Sequence, residues 1–399
     1  MGTPCFFIKF TSNVGQALIR SAPVQRKRRD YSIMSFNTIL SCCVVASMTI
    51  GLVDLLIGNR LGLAVELERG IMSAGRLVLI MTGFMTMAPV LSDILSPVVT
   101  PLLTTIGCDP SAFAGLFLAN DSGGAALAIE MAIDPDAGLY NGFIVGSMLG
   151  SVVMFLIALT ISFTTPRERP AAIYGLVCGI ITIPFGCIFG GWVARFKMDM
   201  VLRNSIPCIV LSVILMLALS MLKAKIVPFF NVMGKGMLGI TYFGLVVAAL
   251  DSLLGIQLFE RTGDLTEIYY IIGNIAVFLA GAFPLLAILR RILRVPLGAL
   301  AAKMQINEIE VSGLIASLAN NLPTFGALRE MTPRGVMINL AFLVSASCVF
   351  GDHLAYTAQV APEMVGCMVA GKLLASISAV VIALILASRL DLESEGMTQ

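Results

Sequence analysis

Residues 118–124 read LANDSGG, and residues 318–324 read LANNLPT. Each stretch puts asparagine, or asparagine beside aspartate, in the middle of a long apolar run. Each then follows that pair with helix-loosening residues, Gly123-Gly124 in the first and Pro323 in the second. Glycine gives up the most backbone freedom in a helix, and proline removes a donor and clashes with the carbonyl four residues back. An uninterrupted apolar run would be a plain buried helix. One with Asn-Asp or Asn-Asn at its centre is a helix broken around something polar.

The surrounding chain identifies the solvent. Of its 399 residues, 58% are hydrophobic and 13% charged, against about 45–50% and about 25% in soluble domains. A soluble core cannot absorb that excess, because every domain needs a polar skin. The apolar residues come in blocks of about twenty, the length that crosses a hydrocarbon layer of roughly 30 Å at 1.5 Å per residue. The chain is therefore expected to be all-α, a polytopic helical membrane protein. Apolar windows fall near 36–57, 77–93, 111–133, 139–164, 171–194, 205–222, 236–257, 268–290, 310–329, 335–357 and 363–388, which makes about eleven transmembrane helices. Two shorter apolar stretches, 94–106 and 291–303, are expected to lie in the interface or to re-enter the bilayer.

Residues 34–388 thus form a single transmembrane domain, between a basic extension over 1–33 and an acidic, polar tail over 389–399. The extension is either a cytoplasmic basic arm or sequence upstream of a start at Met34, and the second reading is preferred. Basic residues cluster at Arg167/Arg169, Lys223/Lys225/Lys235 and Arg290/Arg291/Arg294/Lys303. Eleven spans and an inside N-terminus would put all three clusters on the cytoplasmic side, as the positive-inside rule prefers. Arg195, Lys197 and Arg203 would then lie outside. The nine cysteines are scattered without metal-like spacing and read as small packing residues.

The two broken runs belong to a longer echo. Pro89 and Pro101 are matched by Pro284 and Pro296 at the same separation, Gly115-Leu116 by Gly313-Leu314, and Leu118-Ala-Asn by Leu318-Ala-Asn. Asn141 and Asn339 follow in turn. This order predicts two homologous halves, roughly 77–194 and 268–388, each with a discontinuous helix, a plan common among secondary transporters. Counting spans suggests parallel halves. The basic character of 291–303, absent from 94–106, suggests inverted ones.

Ionisable groups inside apolar spans are costly. Asp54, Glu130 and Asp251 sit near span ends, where a solvated carboxylate is the simplest reading. Asp352 and His353 lie toward the end of theirs, and Lys372 two to three turns into the last. Asp121 alone sits at mid-helix, at a cost of about 2.5–3.5 kcal/mol unless paired or wetted. Asp121, Asn120, Asn320 and Asn321 together offer one carboxylate, three amides and unwound carbonyls, a set that suits a small monovalent cation with hydrogen-bonding groups. The alternative is structural: the asparagines as interhelical glue, and Asp121 as a partner of Lys372. Asp352-His353 contains the chain's one histidine, whose ordinary pKa near ~6.5 suits a gate or proton coupling.

No nucleophile elbow, HExxH, P-loop or metal cluster is found, so no enzyme activity, metal or cofactor is expected, and no nucleic-acid partner. GKGMLG at 234–239 fits a dinucleotide fingerprint but lacks the preceding strand. The glycines of GLVCGIITIPFGCIFGGW permit close helix packing.

FAGLFLANDSGG, ITIPFGCIFGG, GAFPLLAILRRILRVPL, ASLANNLPTFG, TPRGVMINLAFLVSASCVFGDHLAY and GKLLAS resemble, in this order, the bacterial ethanolamine-utilisation membrane protein (EutH) family. The resemblance runs from about Met34 to the end of the last span and favours Met34 as the start. It implies a multi-pass permease of the bacterial cytoplasmic (inner) membrane that takes up ethanolamine. A carrier for another small cation or amine, or a non-transporting receptor or anchor of a microcompartment, is the alternative. The lipid bilayer is the expected surrounding, and a homo-oligomer is left open.

Overall fold

The computed structural model describes residues 36–222 and 227–389. Among them the chain is helical, with no strand: α1 (Phe36–Leu56), α2 (Leu63–Thr105), α3 (Ala112–Phe117), α4 (Gly124–Met131), α5 (Pro135–Leu139), α6 (Ile157–Phe163), α7 (Arg169–Val193), α8 (Met198–Leu222), α9 (Val227–Leu254), α10 (Leu265–Met304), α11 (Glu308–Ser317), α12 (Leu322–Ala327), α13 (Pro333–Ala346), α14 (Asp352–Val360) and α15 (Val365–Ala387). A π-helical stretch, Tyr140–Gly150 and Val152–Leu156, joins α5 to α6 as one rod. The basic extension up to residue 35, Lys223/Lys225 and the tail from residue 390 lie outside the described residues.

Eight helices among the described residues are long and apolar enough to cross a membrane, in place of the eleven expected. The α2 and α10 helices have 43 and 40 residues, about 60 Å or more at 1.5 Å rise, twice the hydrocarbon thickness. The stretches 94–106 and 291–303 are their continuations rather than separate segments. The window 335–357 breaks into α13 and α14 around 347–351.

The larger difference concerns the windows 111–133 and 310–329. Neither crosses. In the first, Asp109 sits before α3 and its Oδ2 accepts from the backbone N–H of Ile133 (3.0 Å) and Asp134 (2.9 Å), after α4. Both ends therefore lie together, and α3 and α4 form a hairpin whose tip is residues 118–123. In the second, Glu310 sits at the start of α11 and its Oε1 accepts from the backbone N–H of Thr332 at 2.7 Å, beyond α12. Asparagine fixes each hairpin to the next helix. Asn141 donates to Ser111 Oγ (2.9 Å) and Asn339 to the Glu310 carbonyl (3.0 Å). Glu310 is fully buried, a burial tolerated because Thr332 Oγ1 and the Asn307 N–H also donate to it.

Counting crossings from one hairpin to the next gives their orientation. The first opens at the end of the bundle where α5 begins. The α5–α6 rod, α7, α8, α9 and α10 then carry the chain across five times, so the second hairpin opens at the opposite end. The ends differ in charge. One, which we call the acidic face, carries Asp93, Glu130, Asp134, Asp199, Glu260 and Glu267, which outnumber the Arg195, Lys197, Arg203 and Arg261 found with them. The other carries Arg167, Arg169, Arg290, Arg291, Lys303 and Arg334. The described basic clusters do share a face, as expected, but α1 begins at the acidic one.

Asp54 is not a solvated helix end. It is buried and accepts from the backbone N–H of Leu61 (2.7 Å), Leu63 (2.7 Å) and Ala64 (3.4 Å), which caps the entry to α2. The GKGMLG stretch lies inside α9. Small residues let the first hairpin reach the core: a Cβ at Gly150 would stand 2.0 Å from the Leu118 carbonyl oxygen. Gly150→Leu is accordingly expected to abolish folded protein. Size-exclusion yield and thermal unfolding in detergent measure this, and native-like yield would show that the tip packs elsewhere.

Candidate functional site

Both hairpin tips end in unwound backbone. In the first, Leu118 and Ala119 are extended and Asn120–Ser122 form a single 3₁₀ turn. Gly123 then adopts φ 96°, a left-handed conformation where a Cβ would also strike the Phe84 ring. In the second, α11 stops at Ser317 and its tip pairs with the break in the α13–α14 crossing. Cys348 N–H donates to the Ser317 carbonyl (3.1 Å), and Phe350 N–H to the Leu318 carbonyl (2.8 Å). Cys348 itself has φ 51°, a left-handed conformation that costs a non-glycine residue about 1–3 kcal/mol and is found preferentially at functional sites.

The tips and the break enclose a cavity of about 340 Å³. Its polar walls come from Ser73 of α2, Asp121 and Ser122 of the first tip, Ser151 of the rod, Asn320 and Asn321 of the second tip, Ser347 of the break, and Asp352 and His353 at the start of α14. Five of the six residues expected to bind or to gate therefore line one cavity. Asn120 does not. It is fully buried, and its amide donates to Thr357 Oγ1 (3.2 Å) and the His353 carbonyl (3.4 Å), which ties the first tip to α14.

Behind the wall stands Lys372, the partner of Asp121 in the structural alternative. Lys372 of α15 is fully buried. Its Nζ donates to the Ser147 carbonyl on the π-helical stretch (2.6 Å) and lies 3.0 Å from His353 Nδ1. With Lys372 as an ammonium, which has only donors, Nδ1 accepts and the ring proton sits on Nε2. That Nε2 faces Asp121 Oδ1 at 3.7 Å. Lysine, imidazole and carboxylate thus form a line from the core to the cavity. Asp121 is a partner of Lys372 through His353, and at the same time it faces open space.

The electrostatics favour a cation. The lining holds two carboxylates and neither lysine nor arginine. Asn321 Oδ1 is buried without a hydrogen-bond partner, an acceptor suited to an incoming N–H or O–H. Among the described residues no group of histidine, cysteine and carboxylates is arranged to hold a metal ion.

Eight membrane-length helices among the described residues, packed around broken ones, define a multi-pass helical membrane protein with a polar cavity among its helices. The family described as "Ethanolamine utilisation protein, EutH" matches residues 36–386, and the chain belongs to it. It is 40% identical to the "Probable ethanolamine permease EutH" of Listeria monocytogenes over 366 residues, covering 92% of this chain and 98% of that protein. It is 34% identical to the protein of the same name from Escherichia coli K12 over 350 residues, 82% of this chain and 86% of the other. A protein of Bacillus subtilis, "Uncharacterized protein YxeR", is 35% identical over 346 residues, 87% and 94% of the two chains. No solved structure matches.

Proposed function

We propose that this chain is an ethanolamine permease of the bacterial cytoplasmic membrane. Ethanolamine is a primary amine and, like a lysine side chain with pKa near ~10.4, is largely protonated at neutral pH. Its neutral form leaks through lipid but its ammonium does not, so a carrier matters most when the external pH or concentration is low. Asp121 pairs with the ammonium. Asn320 and Asn321 hydrogen-bond the hydroxyl and the remaining N–H groups, and Asn120 positions the tip that carries Asp121.

The single observation that carries this reading is Asp121 beside a cavity bounded by both hairpin tips, whose lining holds two carboxylates and neither lysine nor arginine. The names of the relatives supply the substrate. The matching clamps and tips, entering from opposite ends, support two homologous halves in inverted arrangement. The basic face is then cytoplasmic and the acidic face external.

Asp352 and His353 gate the cavity or carry the coupling proton. Ammonium arriving at Asp121 competes with Lys372 for the same negative charge, and His353 is placed to relay a proton between them. Labelled ethanolamine taken up by proteoliposomes at about pH 6, where the amine is almost wholly protonated, tests the function. Saturable uptake, competed by ethanolamine but little by choline, is expected, because choline has no N–H to offer the amide oxygens. A proton ionophore is expected to slow it; unchanged rates would make the protein a facilitator, with His353 only a gate. Saturable binding without flux would defeat the transport reading.

A further inference from the structure

A second cavity opens on the acidic face. It is about 560 Å³ and is bordered by Glu130, Glu260, Asp264 and Glu267, with Arg261 the basic side chain among them. Arg261 is engaged: its guanidinium lies 2.8 Å from Asp93 and 3.1 Å from Glu130. Asp264 caps α10, accepting from the Thr266 N–H at 2.8 Å. Arg261 offsets one carboxylate of the pair it bridges, and a backbone N–H leaves the charge of Asp264 in place, so Glu260, Asp264 and Glu267 keep the cavity net negative.

An acidic rim alone would be ordinary solvated surface. What sets this one apart is Tyr356, which lines the same cavity. Tyr356 is 1% exposed, its ring stacks on Phe143 with centroids 6.0 Å apart, and its hydroxyl has no hydrogen-bond partner. A buried phenol both donates and accepts, and leaving it unmatched costs about 1–3 kcal/mol. The residue lines the cavity, and its hydroxyl, buried and unmatched, is a hydrogen-bonding group that a ligand entering there would satisfy. Tyr356 also stands one helical turn from His353, which lines the central cavity, and shares its face of α14. The phenol is within electrostatic reach of both Asp121 and Glu267. With Tyr356 lining one space and His353 the other, this turn of α14 borders both.

We propose that the acidic-face cavity is a second binding site for a small primary ammonium, held by Glu267 and the Tyr356 hydroxyl before it passes to Asp121. This rests on the permease reading, since the ligand is the same solute on its way in. Carboxylates set beside apolar walls (Met85, Ala88, Ile268) suit an organic cation, which offers both an ammonium and a hydrocarbon surface.

Equilibrium binding of labelled ethanolamine to the purified full chain, counted as sites per protein, tests it. Two sites are expected in the wild type. Asp121→Asn should retain one and Glu267→Gln should retain the other. Tyr356→Phe, which keeps the ring and its packing, should weaken the acidic-face site about tenfold or more. That site should also be the more salt-sensitive, being nearer solvent. One site in the wild type, abolished by Asp121→Asn and untouched by Glu267→Gln and Tyr356→Phe, would overturn the second site and leave the permease reading standing. No uptake by the wild type in proteoliposomes would instead remove the permease reading.

Discussion

Asp121→Asn is expected to lower the transport efficiency for ethanolamine by about 30-fold to several thousand-fold. The substitution keeps the size and hydrogen-bonding reach of the side chain but removes the charge that faces the ammonium. Truncating one partner of a buried, hydrogen-bonded charge pair costs about 2–5 kcal/mol, and each 1.4 kcal/mol is about a factor of ten. The second tip gives the internal comparison, because Asn321 stands in LANNLPT where Asp121 stands in LANDSGG. Initial rates of labelled uptake measure the effect. Wild-type rates in the variant would mean that the ammonium never meets this carboxylate.

Lys372→Met carries the second largest expected effect, because the two side chains are close in volume and the lysine is fully buried. Without it, Asp121 keeps its negative charge in the core with no compensating cation behind His353. Uptake is expected to fall by about tenfold or more, and the protein to lose thermal stability in detergent. The diagnostic result is the double variant. Residues in one charge network show coupling of about 0.5–3 kcal/mol, so Asp121→Asn with Lys372→Met should be more stable than the sum of the single losses allows. Strictly additive unfolding shifts would show that the 3.0 and 3.7 Å steps through His353 transmit nothing.

Much of this architecture was legible in the residues. Composition alone required membrane helices, and the Asn-Asp and Asn-Asn pairs marked both breaks, because amides and glycine or proline have no reason to interrupt a lipid-facing helix. What composition could not distinguish was a span from a hairpin. Twenty apolar residues satisfy either, and the difference lay outside the window, in Asp109 and Glu310, which accept backbone donors from the far end of each segment. Counting the first hairpin as a crossing is also what made span counting favour parallel halves over the inverted ones proposed here, since one crossing more or less reverses the direction of everything after it.

Other features were hidden for different reasons. The break at 347–351 falls in SCVFG, which lacks proline, and is held open by pairing with a distant tip rather than by its own sequence. The π-helical stretch over Tyr140–Gly150 is similarly a tertiary product, with every residue of it buried. Lys372 was visible as a costly charge, but its link to Asp121 through His353 needed three helices brought together. Asn120, expected at the cavity, holds α14 instead, because the 3₁₀ turn of the tip directs adjacent side chains to different neighbours. The cysteines are mostly buried packing residues, yet Cys42 and Cys43 are exposed and Cys348 borders the cavity.

Cys348 supplies the most direct test of an ammonium seated at the two tips. In a variant retaining Cys348 as its only cysteine, its reaction with 2-aminoethyl methanethiosulfonate reports on the cavity with a probe that itself carries a primary ammonium. Ethanolamine is expected to slow that labelling in a saturable way, and to lose this protection when Asp121 is replaced by asparagine. Labelling that proceeds at the same rate with and without saturating ethanolamine, in protein that still transports it, would place the solute's path somewhere else.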